Sequence, residues 1–190
     1  EGMAYAALSR CRTSARVFLE QFDPPFYKIA SASLTDDGLL QYHRAKGRPI
    51  VLSTGMSTMP QIRHAVDVLE GTDNLMILHC TSTYPAKPEE LNLNMIKTLQ
   101  NEFDCPIGYS GHETGIQTSV ATTVLGASMI ERHITLDRAM WGTDQAASVE
   151  PQGIQRLVRD IRVVEAAMGD GIKQLYDSEK PILEKLRRVG

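Results

Sequence analysis

PIGYSGHETGIQTSVATTVLG, residues 106–126, holds one complete structural unit. It opens with a short apolar run, Pro106–Ser110, and breaks into the polar cluster Ser110-Gly111-His112. It then takes up a helical spacing of apolar residues at Ile116, Val120, Ala121, Val124 and Leu125, closed by Gly126. A run of that length bounded by turn residues reads as a strand buried on both faces of a parallel sheet, and the pattern after it as the helix covering that strand.

The same unit recurs in both directions. Short apolar runs stand at Phe26–Ala30, Pro49–Ser53, Leu75–Thr81 and Ser128–Ile134. Between them, Ile62, Ala65, Val66 and Leu69 follow the i, i+3, i+4, i+7 spacing, with Gly71 placed to end the helix. Met95, Ile96 and Leu99 mark another helix, and Ile154, Leu157, Val158, Ile161 and Val164 the longest. Asp36 and Asp37 are well placed to start a helix before Leu39 and Leu40. Five βα units predict an α/β fold with a parallel sheet, either doubly wound or a (β/α)8 TIM barrel. The polar residues decide between them. Nearly every run ends in a polar cluster: Ser31 to Ser33, Ser53-Thr54-Gly55, Thr81 to Tyr84, Ser110-Gly111-His112 and Glu131-Arg132-His133. Chemistry at the end of every strand suits a barrel's catalytic face, whereas an open sheet gathers its site at one switch point. Five units are too few to close an eight-stranded barrel, so the expected architecture is an incomplete TIM barrel.

Composition adds exclusions. The 190 residues are 42% hydrophobic and 23% charged, with a net charge of −3. That is globular composition without the basic excess that nucleic acid or an anionic membrane would call for. No apolar run reaches membrane-spanning length, and there is no secretory start. The cysteines, Cys11, Cys80 and Cys105, are odd in number and widely spaced, which suits reduced thiols in a cytoplasmic protein. No GxGxxG or GxxxxGK[ST] loop is present, arguing against a dinucleotide or Walker-type site.

Several residues are candidates for chemistry. His112 and His133 follow consecutive strands, and a barrel would bring them together at one rim. Singly, each reads as a hydrogen-bonded histidine near a strand end; as a pair beside Glu131 they suit a divalent metal such as manganese or zinc. Glu131 and His133, two apart on a strand, share a side, while Arg132 points the other way. A carboxylate there requires a ligand, a metal or a lysine nearby, or else a structural ion pair. Lys28 interrupts the apolar strand FYKIA and suits a phosphate or carboxylate, or a Schiff base, against the plainer reading of an amino group reaching solvent. Ser31, Ser53, Ser82 and Ser110 end successive strands, and their hydroxyls together suit a phosphate, although serine is common in loops. Gly55 and Gly108 permit close backbone approach. The long stretch from Thr135 to about Glu150 is of a length that is more often functional than idle, and its Asp144 suits sugar hydroxyls or a turn cap. His43 and His64 are expected on helix surfaces, and His79 as structural.

GYSGHETG (108–115), ERHITLD (131–137) and HCTSTYP (79–85) resemble the N-acetylneuraminate (sialic acid) synthase family. So do YKIAS (27–31), LSTGM (52–56) and the GTDQAAS-x-EP stretch (142–151), in order, over roughly residues 17–188. The resemblance implies a (β/α)8 barrel that joins phosphoenolpyruvate to an N-acyl hexosamine, usually N-acetylmannosamine, giving a nine-carbon 2-keto sugar acid and phosphate. It implies manganese on His112 and His133, and phosphoenolpyruvate on Lys28, Ser31, Ser53, Ser82 and Ser110. Tyr84 and Asp144 fall on substrate-pocket positions and Glu131 on an active-site carboxylate. A homodimer is implied for the full-length family.

The chain departs from the family in places. Ser33 stands where many bacterial members carry glutamate, and Ser82 where several carry asparagine. Residues 1–16 show no likeness to the family's upstream units. Residues 17–190 read as a partial barrel, without the antifreeze-like C-terminal domain that SEKPILEKLRRVG would lead into. The isolated stretch is accordingly expected to turn over little. Two other readings stand beside this one. One is a non-catalytic half-barrel that binds or oligomerises. The other is a different phosphoenolpyruvate-dependent synthase, of the KDO8P or DAHP synthase type.

Overall fold

A computed structural model describes residues 24–189. Its five strands are β1 (Tyr27–Ile29), β2 (Ile50–Ser53), β3 (Leu75–Cys80), β4 (Ile107–Gly111) and β5 (Ile130–Arg132). All pairings are parallel and the spatial order is β1-β2-β3-β4-β5, so each strand lies beside its neighbour in the chain. A doubly wound sheet reverses its order at a switch point; this one never does, and it is the half-barrel that the polar strand ends predict. The segment 1–16 and Cys11 lie outside the described residues.

The helices are α1 (Asp37–Ala45), α2 (Met59–Val68), α3 (Met95–Glu102), α4 (Gln117–Val124), α5 (Pro151–Met168) and α6 (Lys180–Leu186). Local signals start and stop them. Asp36 caps α1 by accepting the Leu39 N–H at 3.1 Å. Gln61 accepts the Thr58 N–H at 2.9 Å at the start of α2, where Pro60 sits in the first turn without needing a donor. Gly71 and Gly126 follow α2 and α4 with φ of 80° and 83°, a conformation that costs glycine nothing.

Alternation along the strands separates two faces. Tyr27, Ile29, Ile50 and Leu52 point toward α1 and α2, where Leu34, Leu40, Ile62, Ala65 and Leu69 complete a core. Ile77, Ile107 and Tyr109 continue it against Ile96 and Leu99 of α3. Burying each such aliphatic side chain contributes about 1.5–3 kcal/mol. The opposite face carries Lys28, Ser53, Cys80, Ser110 and Glu131.

Two expectations about burial are corrected. His43 is not a surface residue: it is 5% exposed, its Nδ1 lies 2.8 Å from the Leu39 carbonyl, and its ring meets Tyr27 edge-on at 5.0 Å. The face α4 turns inward is only partly the apolar stripe, with Leu125 packed against the core. Ser119 and Thr122 are fully buried, whereas Val124 is 55% exposed. A buried carboxylate, Glu113, lies beneath the helix and takes the Ser119 hydroxyl at 2.7 Å, so hydroxyls rather than methyls are needed there. His64 is exposed, beside Asp37 at 3.0 Å, and His79 is buried against the Leu91 carbonyl at 2.7 Å, both as expected.

Candidate active site

Register brings the polar strand ends together. Ser110 pairs with Glu131 and Gly111 with Arg132, so one residue further along His112 comes beside His133. Their rings are 5.1 Å apart between centroids. Tyr84 lies across both, 4.3 Å from His112 and 5.4 Å from His133. Asp144, at the start of a short 3-10 turn (Gln145–Ala147), places its carboxylate 3.8 Å from His133 Nδ1.

His112 is 4% exposed. Burial pushes its pKa down against the opposing pull of the Thr81 carbonyl and Glu131, so the ring is held neutral. Its Nδ1 lies 2.9 Å from the Thr81 carbonyl, an acceptor only. The proton therefore belongs on Nδ1 and the lone pair on Nε2, the arrangement a metal-ligating histidine needs. Among the described residues no group of three or more His, Cys, Asp or Glu has ligating geometry. Two imidazoles alone would leave any ion held between them most of its coordination sphere open to water or other oxygens.

Beside the imidazoles lies a cradle of hydroxyls around one cation. Lys28 Nζ donates to Ser53 Oγ at 2.7 Å and stands 3.5 Å from Glu131 Oε2. Glu131 Oε1 takes the Ser110 hydroxyl at 2.7 Å. Lys28 is thus the partner that an inward carboxylate requires, and the amino group is tied into the site rather than reaching out to solvent. Ser31 Oγ accepts the Gly55 N–H at 2.9 Å and lies 3.5 Å from Cys80 Sγ, which is in turn 3.6 Å from Ser82 Oγ. A methyl on Gly55 would press into Ser82, Ser31 and Cys80 at once, so the backbone comes as close to the serines as glycine allows. Ser33 ends the 3-10 turn that Ser31 begins after β1.

The NeuB family profile matches residues 3–173. The chain belongs to the NeuB family. The match takes in most of residues 1–16, where the sequence alone suggests no likeness. The N-acetylneuraminate-9-phosphate synthase of Homo sapiens is 44% identical over 171 residues, 89% of this chain and 48% of that protein. The N,N'-diacetyllegionaminic acid synthase of Legionella pneumophila is 38% identical over 167 residues, 85% of this chain and 47% of that protein. A solved N-acetylneuraminic acid (sialic acid) synthetase from Leptospira borgpetersenii, in complex with citrate, superposes with a TM-score of 0.81 at 31% identity, covering 93% of this chain and 64% of that one. The chain spans about half the length of the curated relatives it matches.

The structure gathers Lys28, Ser31, Ser53, Ser82, Ser110 and Glu131 in the cradle and Tyr84, His112, His133 and Asp144 at the imidazole end. Sequence reasoning missed Cys80 at the centre of the cradle, the Thr81 carbonyl that sets the His112 tautomer, and the partner of Arg132. That partner is Glu113, 3.1 Å away, with both side chains almost wholly buried. A charged residue directly after His112, on a strand end where alternation points it at the helices, is the signal that would have found the pair. Met56, beside Gly55, has φ of 60°, a left-handed conformation that nothing in its residue type foretells.

Proposed function

We propose that this chain carries the phosphoenolpyruvate and metal half of a sugar-acid synthase site. The full chain would condense phosphoenolpyruvate with N-acetylmannosamine or a related N-acyl hexosamine. A carbon–carbon bond forms between C3 of phosphoenolpyruvate and the sugar aldehyde carbon. Water adds at C2, the C2–O bond breaks, and inorganic phosphate leaves with the bridging oxygen, giving a nine-carbon 2-keto sugar acid. What carries this reading is the convergence at one rim of the cationic hydroxyl cradle and the neutral imidazole pair.

Each residue has work to do in that scheme. Lys28 offsets the phosphate or carboxylate charge of phosphoenolpyruvate, and Ser31, Ser53, Ser82 and Ser110 donate hydroxyl hydrogens to its oxygens. Glu131, which lies between Lys28 and Ser110, would hold or move a proton at the reacting carbons. His112 and His133 would hold manganese through ring nitrogens. When bound, the metal supplies Lewis-acid polarisation of the sugar aldehyde. Tyr84 and Asp144, at the imidazole end, face the sugar. The likeness to the family also supports a homodimer and a cytoplasmic setting; among the described residues no helix is long and apolar enough to cross a membrane.

The test is a label. Phosphoenolpyruvate carrying 18O at the bridging position, incubated with N-acetylmannosamine, manganese and the full chain, should release phosphate that keeps the label, together with a 2-keto acid of the summed carbon skeleton. Lys28→Met should weaken phosphoenolpyruvate binding by at least about tenfold, the loss of one charge-assisted contact. Unlabelled phosphate, or no keto acid with any N-acyl hexosamine, would refute the reaction.

A further inference from the structure

The two imidazoles are each bonded in the chain to a residue that points the opposite way. Glu113 directly follows His112, and Arg132 directly precedes His133. Behind the sheet these two meet. Arg132 Nη1 lies 3.1 Å from Glu113 Oε1, with the side chains 2% and 3% exposed. Arg132 also donates to the Glu113 carbonyl at 2.6 Å, the Gly115 carbonyl at 2.7 Å and the Ala147 carbonyl at 3.2 Å. Glu113 in turn accepts the hydroxyls of Tyr109 at 2.9 Å, Thr118 at 2.8 Å and Ser119 at 2.7 Å.

One guanidinium therefore ties down two separate loops. Gly115 and Glu113 belong to the turn that carries His112. Ala147 belongs to the return of the long loop, where the Val149 N–H donates to the His133 carbonyl at 2.8 Å and the Thr135 N–H to the Val149 carbonyl at 3.1 Å. Gly111, between the two faces, adds a steric constraint. A methyl there would stand 2.6 Å from Glu113 Oε2, 2.7 Å from Tyr109 Cε1 and 3.0 Å from Arg132 Cδ, so the pair is pressed against the backbone immediately before His112.

A buried ion pair is a poor device for stability alone, since well-packed apolar residues of equal volume usually serve as well or better. What it supplies is a fixed geometry. We propose that Arg132 and Glu113 are positioning residues that set the separation and orientation of the His112 and His133 rings from behind the sheet. The consequence for metal affinity rests on the reading of those rings as metal ligands; the positioning of the rings does not. Because neighbouring strand residues face opposite ways, fixing the outward pair fixes the inward one.

The experiment uses Arg132→Lys and Glu113→Gln in the full chain, with Arg63→Ala as a control that removes the remote surface pair to Glu102. Two readouts are taken well below each melting temperature: manganese affinity by electron paramagnetic resonance with the metal alone, and, without metal, the nuclear Overhauser contacts between the His112 and His133 ring protons. Both pair variants should bind manganese about 10–100-fold more weakly, as loss of a supporting shell does elsewhere, and lose the ring–ring contacts while keeping the parent circular dichroism. The control should match the parent in both. Variants that melt earlier yet keep parental manganese affinity and ring contacts would show the pair to be merely structural and overturn the inference. If the parent itself binds no manganese, the metal reading fails by itself, and the ring contacts still decide: lost in the variants they support the positioning role, kept they refute it. Where either variant does not fold, Tyr109→Phe, which removes one donor to Glu113, carries the same two readouts with a smaller expected loss.

Discussion

Gly55→Ala is the most exacting single perturbation of the cradle. The backbone at Gly55 tolerates an L residue, so contacts alone decide the outcome. The new methyl would fall within the radius of Ser82 Oγ, 2.9 Å from Ser31 Oγ and 3.0 Å from Cys80 Sγ. Ser82 can relieve its clash by rotating about χ1. Ser31 cannot do so freely, because its hydroxyl accepts the Gly55 N–H at 2.9 Å. Losing that bond costs about 1 kcal/mol, and overpacking a tight site about 1–3 kcal/mol, so the expected destabilisation is about 2–4 kcal/mol. Urea unfolding with an unchanged m-value measures it. The double variant Gly55→Ala/Ser82→Ala removes the worst contact and should recover about 1 kcal/mol as a coupling between neighbours. Phosphoenolpyruvate binding by calorimetry should fall in the single variant more than stability alone explains. A Gly55→Ala protein within about 0.5 kcal/mol of the parent, with no recovery from Ser82→Ala, would refute the packing argument.

Two further predictions concern buried polar groups. Burial lowers the His79 pKa below its ordinary value, so the unfolded chain binds a proton there more readily than the folded one. Stability from this residue is complete above about pH 6.5 and drains away as pH falls below it; the difference between parent and His79→Gln unfolding free energies should narrow over that window, and a difference independent of pH would contradict it. Ser119→Ala leaves the buried Glu113 carboxylate one donor short and should cost about 1–3 kcal/mol in chemical denaturation, whereas Val124→Ala, on the exposed side of the same helix, should cost under about 0.5 kcal/mol; the reverse order would restore the apolar stripe as the buried face.

The fold was legible because strands buried on both faces leave little room for ambiguity. The runs Pro49–Ser53 and Pro106–Ser110 read as buried strands, and the structure has them as Ile50–Ser53 and Ile107–Gly111, buried throughout. Part of the candidate site was legible for a related reason: Lys28 is a charge on an otherwise apolar strand, and an inward-facing charge such as Lys28 or Glu131 must find a partner or a ligand. Apart from Cys80 and the Thr81 carbonyl, the contacts that escaped reading lay on the side of the sheet where helices pack. Periodicity assumes that the inward face of a helix is the apolar one, and it fails at α4 because Glu113 and Arg132 put a charge pair beneath it. His43 escaped for a similar reason. A histidine on a short amphipathic helix scores as polar, yet its ring packs edge-on against Tyr27 while one nitrogen reaches the Leu39 carbonyl. Neither the tautomer of His112 nor the left-handed turn at Met56 leaves a trace in composition or spacing.

The neighbour-to-neighbour order of the strands has a consequence in time. Among the described residues every strand pairing joins units adjacent in sequence, so a ribosome releasing them presents each new strand with a partner already made, and none of these pairings waits for a distant segment. The hydroxyl cradle, drawn largely from the first three strands, can be in place early. The imidazoles ride on the last two, and the loop that backs His133 emerges later still. The imidazole rim would then be the last part of the described half-barrel to form, after the surfaces that hold it together are already buried.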